Sequence, residues 1–141
     1  MTTIDALVTW FETLSPGSVH RIGEFYSPDA YFKDPFNEVI GIESVRQVYA
    51  HMFEQVAEPR FRVTERVLAA NGAMLTWDFT FRFKPGAALM TVRGASHLRF
   101  DAVGKIASHR DYWDTAEELY AKIPLLGALM RALRRRLSAQ R

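Results

Sequence analysis

Residues 105–114, K-I-A-S-H-R-D-Y-W-D, alternate as a β-strand does. With period two, Ala107, His109, Asp111 and Trp113 share one face, and Ile106, Ser108, Arg110 and Tyr112 share the other. Neither face is uniformly apolar. Buried polar groups need partners and buried charges are costly. A strand near the chain's end that carries His, Tyr, Trp and two Asp therefore predicts a pocket wall rather than core filling. The plainer alternative is a surface ion pair between Arg110 and Asp111, with His109 a satisfied histidine.

Working back from this strand, the period of two persists. Residues 89–100 place Met90, Val92, Gly94, Ser96, Leu98 and Phe100 on one face, and Arg93, Ala95, His97 and Arg99 on the other. Before the Lys84-Pro85-Gly86 turn, Leu75, Trp77, Phe79, Phe81 and Phe83 line one face of a further strand. Asn71-Gly72 reads as a hairpin turn joining it to a strand that begins near Phe61. Earlier still the period becomes helical. Ile42, Val45, Tyr49, Met52, Phe53 and Val56 predict a helix closed by Glu58-Pro59, and Ile4, Leu7, Val8, Phe11 and Leu14 predict a first helix capped by Thr2 or Thr3. Ser18 can cap a short second helix that ends at Ser27-Pro28-Asp29. Between the helices Tyr31 to Asp34 alternates as a short strand, Phe32 and Asp34 on one side, before Pro35 breaks it. Helices followed by an antiparallel meander make an α+β fold with the helices gathered on one face of a curved sheet.

The bulk numbers agree. At 141 residues, 48% hydrophobic and 13% aromatic, the chain suits one domain, with residues 3–115 as its core and 116–141 as a helical extension. Its aromatic share favours an enclosed apolar cavity. The absence of cysteine excludes disulfides, thiolate catalysis and cysteine zinc sites. The first residues show no basic region before an apolar run, and no stretch approaches the ~18 apolar residues of a membrane span. A cytoplasmic protein is expected.

Much of the basic character sits in Arg131, Arg134, Arg135, Arg136 and Arg141, without which the chain is slightly acidic. Arginines near a helix C-terminus are favoured by its dipole and read as a solvated helix end. A basic amphipathic helix at a membrane surface is the alternative. Nucleic acid is not expected, since no aromatic residue interleaves with these arginines. Thr115 can cap a short helix. Leu125, Leu126, Leu129, Met130 and Leu133 are too apolar for a free tail, so residues 119–133 are expected to cover the pocket entrance.

Three stretches, Y-S-P-D-A-Y-F-K-D-P-F (26–36), I-G-I-E-S-V-R-Q-V-Y (40–49) and S-H-L-R-F-D-A-V-G-K-I-A-S-H-R-D-Y-W-D (96–114), resemble in order and spacing the NTF2-like superfamily, and within it the SnoaL-like polyketide cyclases and ketosteroid isomerases. The resemblance implies a cystatin-like cone, a curved antiparallel sheet wrapped around N-terminal helices and enclosing an apolar pocket. It also implies a homodimer through the outer sheet face, where Thr64, Arg66, Leu68, Thr76, Thr80, His97 and Tyr112 are expected. Asp34 falls where ketosteroid isomerases keep a general base, and Tyr49 where they keep a tyrosine supporting the oxyanion hole. Trp10 and Ser96 stand where the isomerases place their two acidic donors. H-R-D-Y-W-D is similar to the epoxide hydrolase branch, where Asp111 matches a pocket acid/base. That branch's Arg-x-Asp pair is missing from Trp77-Asp78-Phe79-Thr80.

Together these readings nominate Asp34, Asp111 and His109 as catalytic groups in one cavity. Trp10, Phe32, Tyr49, Trp77, Phe79, Phe81, Ser96 and Trp113 are nominated as the ligand's surroundings. Carboxylates and an imidazole in an aromatic cavity can supply both an acid and a base. The expected function is cofactor-independent proton transfer, isomerase- or cyclase-like, on a small apolar cyclic molecule, with no metal. The alternatives are a non-catalytic ligand-binding or dimerisation module and an epoxide hydrolase- or dehydratase-like enzyme.

Overall fold

A helix start leaves amides without partners, and here the Thr3 hydroxyl accepts one of them, from Ala6 at 3.1 Å. The computed structural model describes residues 3–119 and 124–138. In it, helix α1 (Ile4–Glu12) buries Leu7, Val8, Trp10 and Phe11. The expected second helix is a 3₁₀ turn, Val19–Glu24. The Ser18 side chain does not cap it but accepts the Ser15 amide at 2.9 Å, closing the bend after α1. Helix α2 (Ile42–Gln55) buries Val45 and Tyr49, as its periodicity predicts.

The strands are β1 (Tyr26–Lys33), β2 (Glu38–Ile40), β3 (Ala57–Ala69), β4 (Gly72–Arg82), β5 (Met90–Phe100) and β6 (Ile106–Tyr112). They form one sheet in the order β2-β1-β6-β5-β4-β3. The sheet is mixed rather than antiparallel throughout, because β1 pairs with β6 in parallel. The chain leaves β1 through the β2 hairpin, crosses by α2 to the far edge, and returns by the meander β3 to β6. The strand quoted at the outset thus lies between β1 and β5, with neighbours on both sides, and the helices pack on one face.

Several local expectations are corrected. Strand β1 begins at Tyr26, since Ser27-Pro28-Asp29 does not break the chain; Pro28 and Asp29 are exposed at an irregularity between Tyr26 and Tyr31. The hairpin loop is Ala70-Asn71, with Ala69 paired to Gly72. Gly72 is a strand residue whose added methyl would overlap the Leu98 carbonyl oxygen. A bulge between Val63 and Glu65 reverses the parity of β3. The Glu12 carboxylate accepts the Val63 amide at this bulge, at 2.9 Å. Beyond it Arg66 and Leu68 pair with the buried Leu75 and Ala73, and so sit on the helix side rather than the outer face. There Arg66 forms an ion pair with Asp5 of α1. A second irregularity, between Arg99 and Phe100, lets Ile106 turn inward, where it is fully buried.

After β6, Asp114 rather than Thr115 caps helix α3 (Thr115–Glu118), accepting the Glu117 amide at 3.0 Å. Arg93 holds α3 through Glu118 at 2.7 Å. Helix α4 (Pro124–Leu137) follows. Of the apolar tail residues expected to cover the pocket, Leu129 and Leu133 are exposed; the side chains of Leu125, Leu126 and Met130, and residues 120–123 and Arg141, lie outside the described residues.

Candidate functional site

Strand alternation carries His109 and Asp111 to the helix-facing side of β6, and β5 brings Ser96 directly opposite Asp111. The three side chains touch. His109 Nε2 lies 2.6 Å from Asp111 Oδ1, and Ser96 Oγ donates to the same oxygen at 2.5 Å. Trp77 Nε1 donates to Ser96 Oγ at 2.9 Å. On the other side of the imidazole, Nδ1 is 2.6 Å from Tyr26 Oη, which is 2.7 Å from Tyr49 Oη. A carboxylate only accepts and an indole only donates, so the neutral imidazole carries its proton on Nε2. Nδ1 then accepts from the Tyr26 hydroxyl, and Tyr26 accepts from Tyr49. One continuous chain runs Tyr49–Tyr26–His109–Asp111–Ser96–Trp77, and all its members but Asp111 are buried.

Both phenols are held protonated. Burial raises the Tyr26 pKa well above the ordinary phenol value, followed by the effects of Tyr49 and of the Asp111 charge. Burial likewise raises Tyr49, with the Asp111 charge next. Such groups stabilise the fold fully below the unfolded phenol pKa, and that stability is lost as pH rises toward the folded value. Stability should therefore fall from about pH 10 upward, more steeply in the native protein than in Tyr49→Phe. Urea titrations across the alkaline range measure this, and parallel slopes would contradict it.

Asp111 stands at a neck. On one side is an inner cavity of about 20 Å³ lined by Tyr49, Ser96 and His109, with room for about one water. On the other is a cavity of about 400 Å³ walled by Phe36, Phe61, Trp77, Phe79, Phe81 and Trp113. Asp111, Trp77 and Phe61 line both. Asp34 also lines the larger cavity, so the two nominated carboxylates do share one space. Their surroundings differ. Asp34 Oδ1 accepts the amides of Phe36 and Asn37, each at 2.7 Å, and the Asn37 side chain lies 3.1 Å from both carboxylate oxygens. This carboxylate holds the β1–β2 turn. Both hydrogen bonds to Asp111 end on Oδ1, leaving Oδ2 without a protein partner among the described residues.

Trp77, Phe79, Phe81 and Trp113 stand in the cavity wall as expected, and Tyr49 and Ser96 line its inner extension. Two nominated residues do not. Trp10 is buried and donates its indole N–H to the Ser18 carbonyl at 3.0 Å, tying α1 to the following bend. Phe32 is buried against the imidazole, its ring 4.8 Å from that of His109, and lines neither cavity. Tyr26, the centre of the chain, was not among the nominated residues. Asp78 pairs with Arg62 at 3.2 Å on the outer face, away from the cavity. Among the described residues no three His, Asp or Glu side chains converge as a metal-ligand set.

The wall itself depends on Gly94, the register partner of Trp77 on β5. A methyl added at Gly94 would overlap the Trp77 indole. Gly94→Ala should therefore displace the ring from Ser96 and cost ~1–3 kcal/mol by overpacking. Urea denaturation, with tryptophan emission as a second reading, checks this; an unchanged midpoint and spectrum would show that the ring shifts freely.

A family model described as the SnoaL-like domain matches residues 7–109. No curated protein matches the chain. Solved structures share its fold at low identity. A protein with a ketosteroid isomerase-like fold from Catenulispora acidiphila, in complex with trimethylamine, superposes with a TM-score of 0.71 at 17% identity, covering 86% of this chain and 92% of its own. An NTF2-like protein from Exiguobacterium gives 0.68 at 18% identity, over 80% and 98%. A protein from Jannaschia assigned to the SnoaL-like polyketide cyclases gives 0.70 at 15% identity, over 81% and 86%. The architecture is thus the NTF2-like cone.

Proposed function

The chain belongs to the SnoaL-like domain family, and from that premise we propose that it is a cofactor-independent acid–base enzyme, isomerase- or cyclase-like, acting on a small apolar molecule in the aromatic cavity. The observation that carries this is the Asp111 carboxylate. It sits at the neck of a cavity of about 400 Å³, with Oδ1 fixed by His109 and Ser96 and with Oδ2 unengaged by any other described residue. Proton abstraction next to a carbonyl needs a base held at one angle and within reach of the ligand. Oδ2 meets the first condition because both anchors grip the other oxygen. We assign the base to Asp111 rather than Asp34, whose carboxylate is committed to its turn.

His109 acts through Asp111 as a positioning residue. A proton passed from Nε2 to Asp111 and replaced at Nδ1 from Tyr26 would leave a phenolate on Tyr26 or Tyr49, and burial disfavours phenolate at both. Asp111 therefore fixes the imidazole tautomer, Tyr26 satisfies its other nitrogen, and the tyrosines do not conduct protons. The aromatic wall supplies apolar contact for a compact ring system, and the inner cavity gives a ligand oxygen or a water access to Ser96 and Tyr49. In this reading a second copy pairs on the outer face through Thr64, Thr76, Thr80, His97 and Tyr112.

The test is solvent exchange. Enolisable cyclic ketones incubated with the protein in deuterated water should incorporate deuterium next to the carbonyl, and Asp111→Asn should slow the incorporation by ~10²–10⁴. Ligand binding without exchange or turnover across such a panel would favour a binding module.

A further inference from the structure

Helix α4 is out of keeping with the rest of the chain. It holds Arg131, Arg134, Arg135 and Arg136 and no acidic residue. Leu129, Leu133 and Leu137 recur every four residues and so stack along one face, and they are 53%, 44% and 80% exposed. At 100° per residue Arg131 and Arg135 fall on the opposite side, Arg134 on the flank, and Arg136 borders the leucines. All four arginines are exposed. A helix end that is merely solvated has no use for three exposed leucines in register, and a helix covering the pocket would bury them.

A second observation lies on the domain. Phe36 and Phe83, 61% and 53% exposed, rim the same cavity as Leu119, and Leu89 is exposed in the adjoining β4–β5 turn beside the exposed Lys84. These residues lie where β1 and β4 end and β5 begins, which is the end of the sheet that the larger cavity opens to. Leu119 is five residues before Pro124, so the start of α4 lies within about 18 Å of the rim. The cationic amphipathic helix is therefore tethered close to an exposed apolar rim.

We propose that α4 is a membrane-surface helix that binds an anionic bilayer, leucines in the acyl boundary and arginines among the headgroups, and holds the mouth of the cavity at the lipid surface. Charge complementarity selects this occupant. A neutral surface would not use four arginines, and a second α4 laid leucine to leucine against the first would leave Arg131 and Arg135 facing outward with no counter-charge. The arrangement lets an apolar ligand enter from the bilayer without crossing water. It does not depend on the acid–base reading, since a binding module would profit equally.

Co-sedimentation of the full chain with vesicles tests it. The protein should partition onto mixed phosphatidylcholine–phosphatidylglycerol vesicles, weakly or not at all onto phosphatidylcholine alone, and less as salt is raised. Each arginine at the surface is worth roughly fivefold in partitioning, so Arg134→Gln with Arg135→Gln should lower it more than tenfold. Leu133→Asp should abolish it. Both variants should melt as the native protein does, since the residues changed are exposed. No partitioning onto anionic vesicles at low salt would overturn the proposal. So would partitioning indifferent to these substitutions, or self-association in solution that Leu133→Asp dissolves while vesicles capture nothing.

Discussion

Replacing Tyr26 by phenylalanine should destabilise the protein by about 1–3 kcal/mol, although the two side chains differ by one oxygen. That oxygen is the centre of the buried chain. It joins Tyr49 Oη at 2.7 Å to His109 Nδ1 at 2.6 Å, and the Tyr26 side chain is fully buried. Without it Nδ1 has no donor and the Tyr49 hydroxyl no acceptor, in surroundings where an unpaired polar group keeps its whole desolvation cost. Tyr49→Phe removes the outermost member and strands nothing beyond it, because the Tyr26 hydroxyl still donates to His109. Its cost should be near 1 kcal/mol. Urea denaturation of the two variants checks the ordering, and in the Tyr26 variant Asp111 still takes the Nε2–H while Nδ1 loses its donor, which should move the Nδ1 resonance in the imidazole ¹⁵N spectrum. Equal costs, or an unchanged imidazole spectrum, would mean that the chain is not continuous in solution.

How far the sequence reveals this site differs from residue to residue. Period-two alternation placed His109, Asp111, Ser96 and Trp77 on the inward face correctly, because β4, β5 and β6 stay in register across the stretches that hold them. It failed where a bulge intervenes. Arg66 and Ile106 each changed sides at an irregularity that pattern alone does not mark. Tyr26 went unnominated because Pro28 and Asp29 look like a chain break, whereas they sit exposed at a register shift within β1 and the strand runs on. The stretch that carries the family resemblance does begin at Tyr26, which was the one signal available.

Trp10 and Asp34 show a different limit. Correspondence with a family position says where a side chain starts, not which neighbour takes its hydrogen bonds. The Trp10 indole is taken by the Ser18 carbonyl and the Asp34 carboxylate by its own turn, both local contacts that depend on loop geometry. Conversely, Gly72 was a sound signal read for the wrong reason. It marks the hairpin, yet it is glycine because β5 passes too close for a side chain.

The paired substitutions Asp111→Asn and Asp34→Asn separate chemistry from architecture. In Asp111→Asn the amide oxygen still accepts from His109 Nε2–H and Ser96 Oγ–H, so the fold should hold to within ~1 kcal/mol. What is lost is a group able to take a proton. Loss of a positioned general base typically removes ~10²–10⁴ of the rate, and deuterium incorporation should fall by that factor. Asp34→Asn likewise keeps an oxygen for the Phe36 and Asn37 amides, but one of its own hydrogens now faces the Asn37 side-chain amide, which lies 3.1 Å from both carboxylate oxygens. It should cost more stability than Asp111→Asn and less than tenfold in rate, since Asp34 lines the cavity without supplying the base. The reverse pattern, with exchange surviving Asp111→Asn and vanishing in a well-folded Asp34→Asn, would move the base to the end of β1. Asp111 would then be left to hold His109.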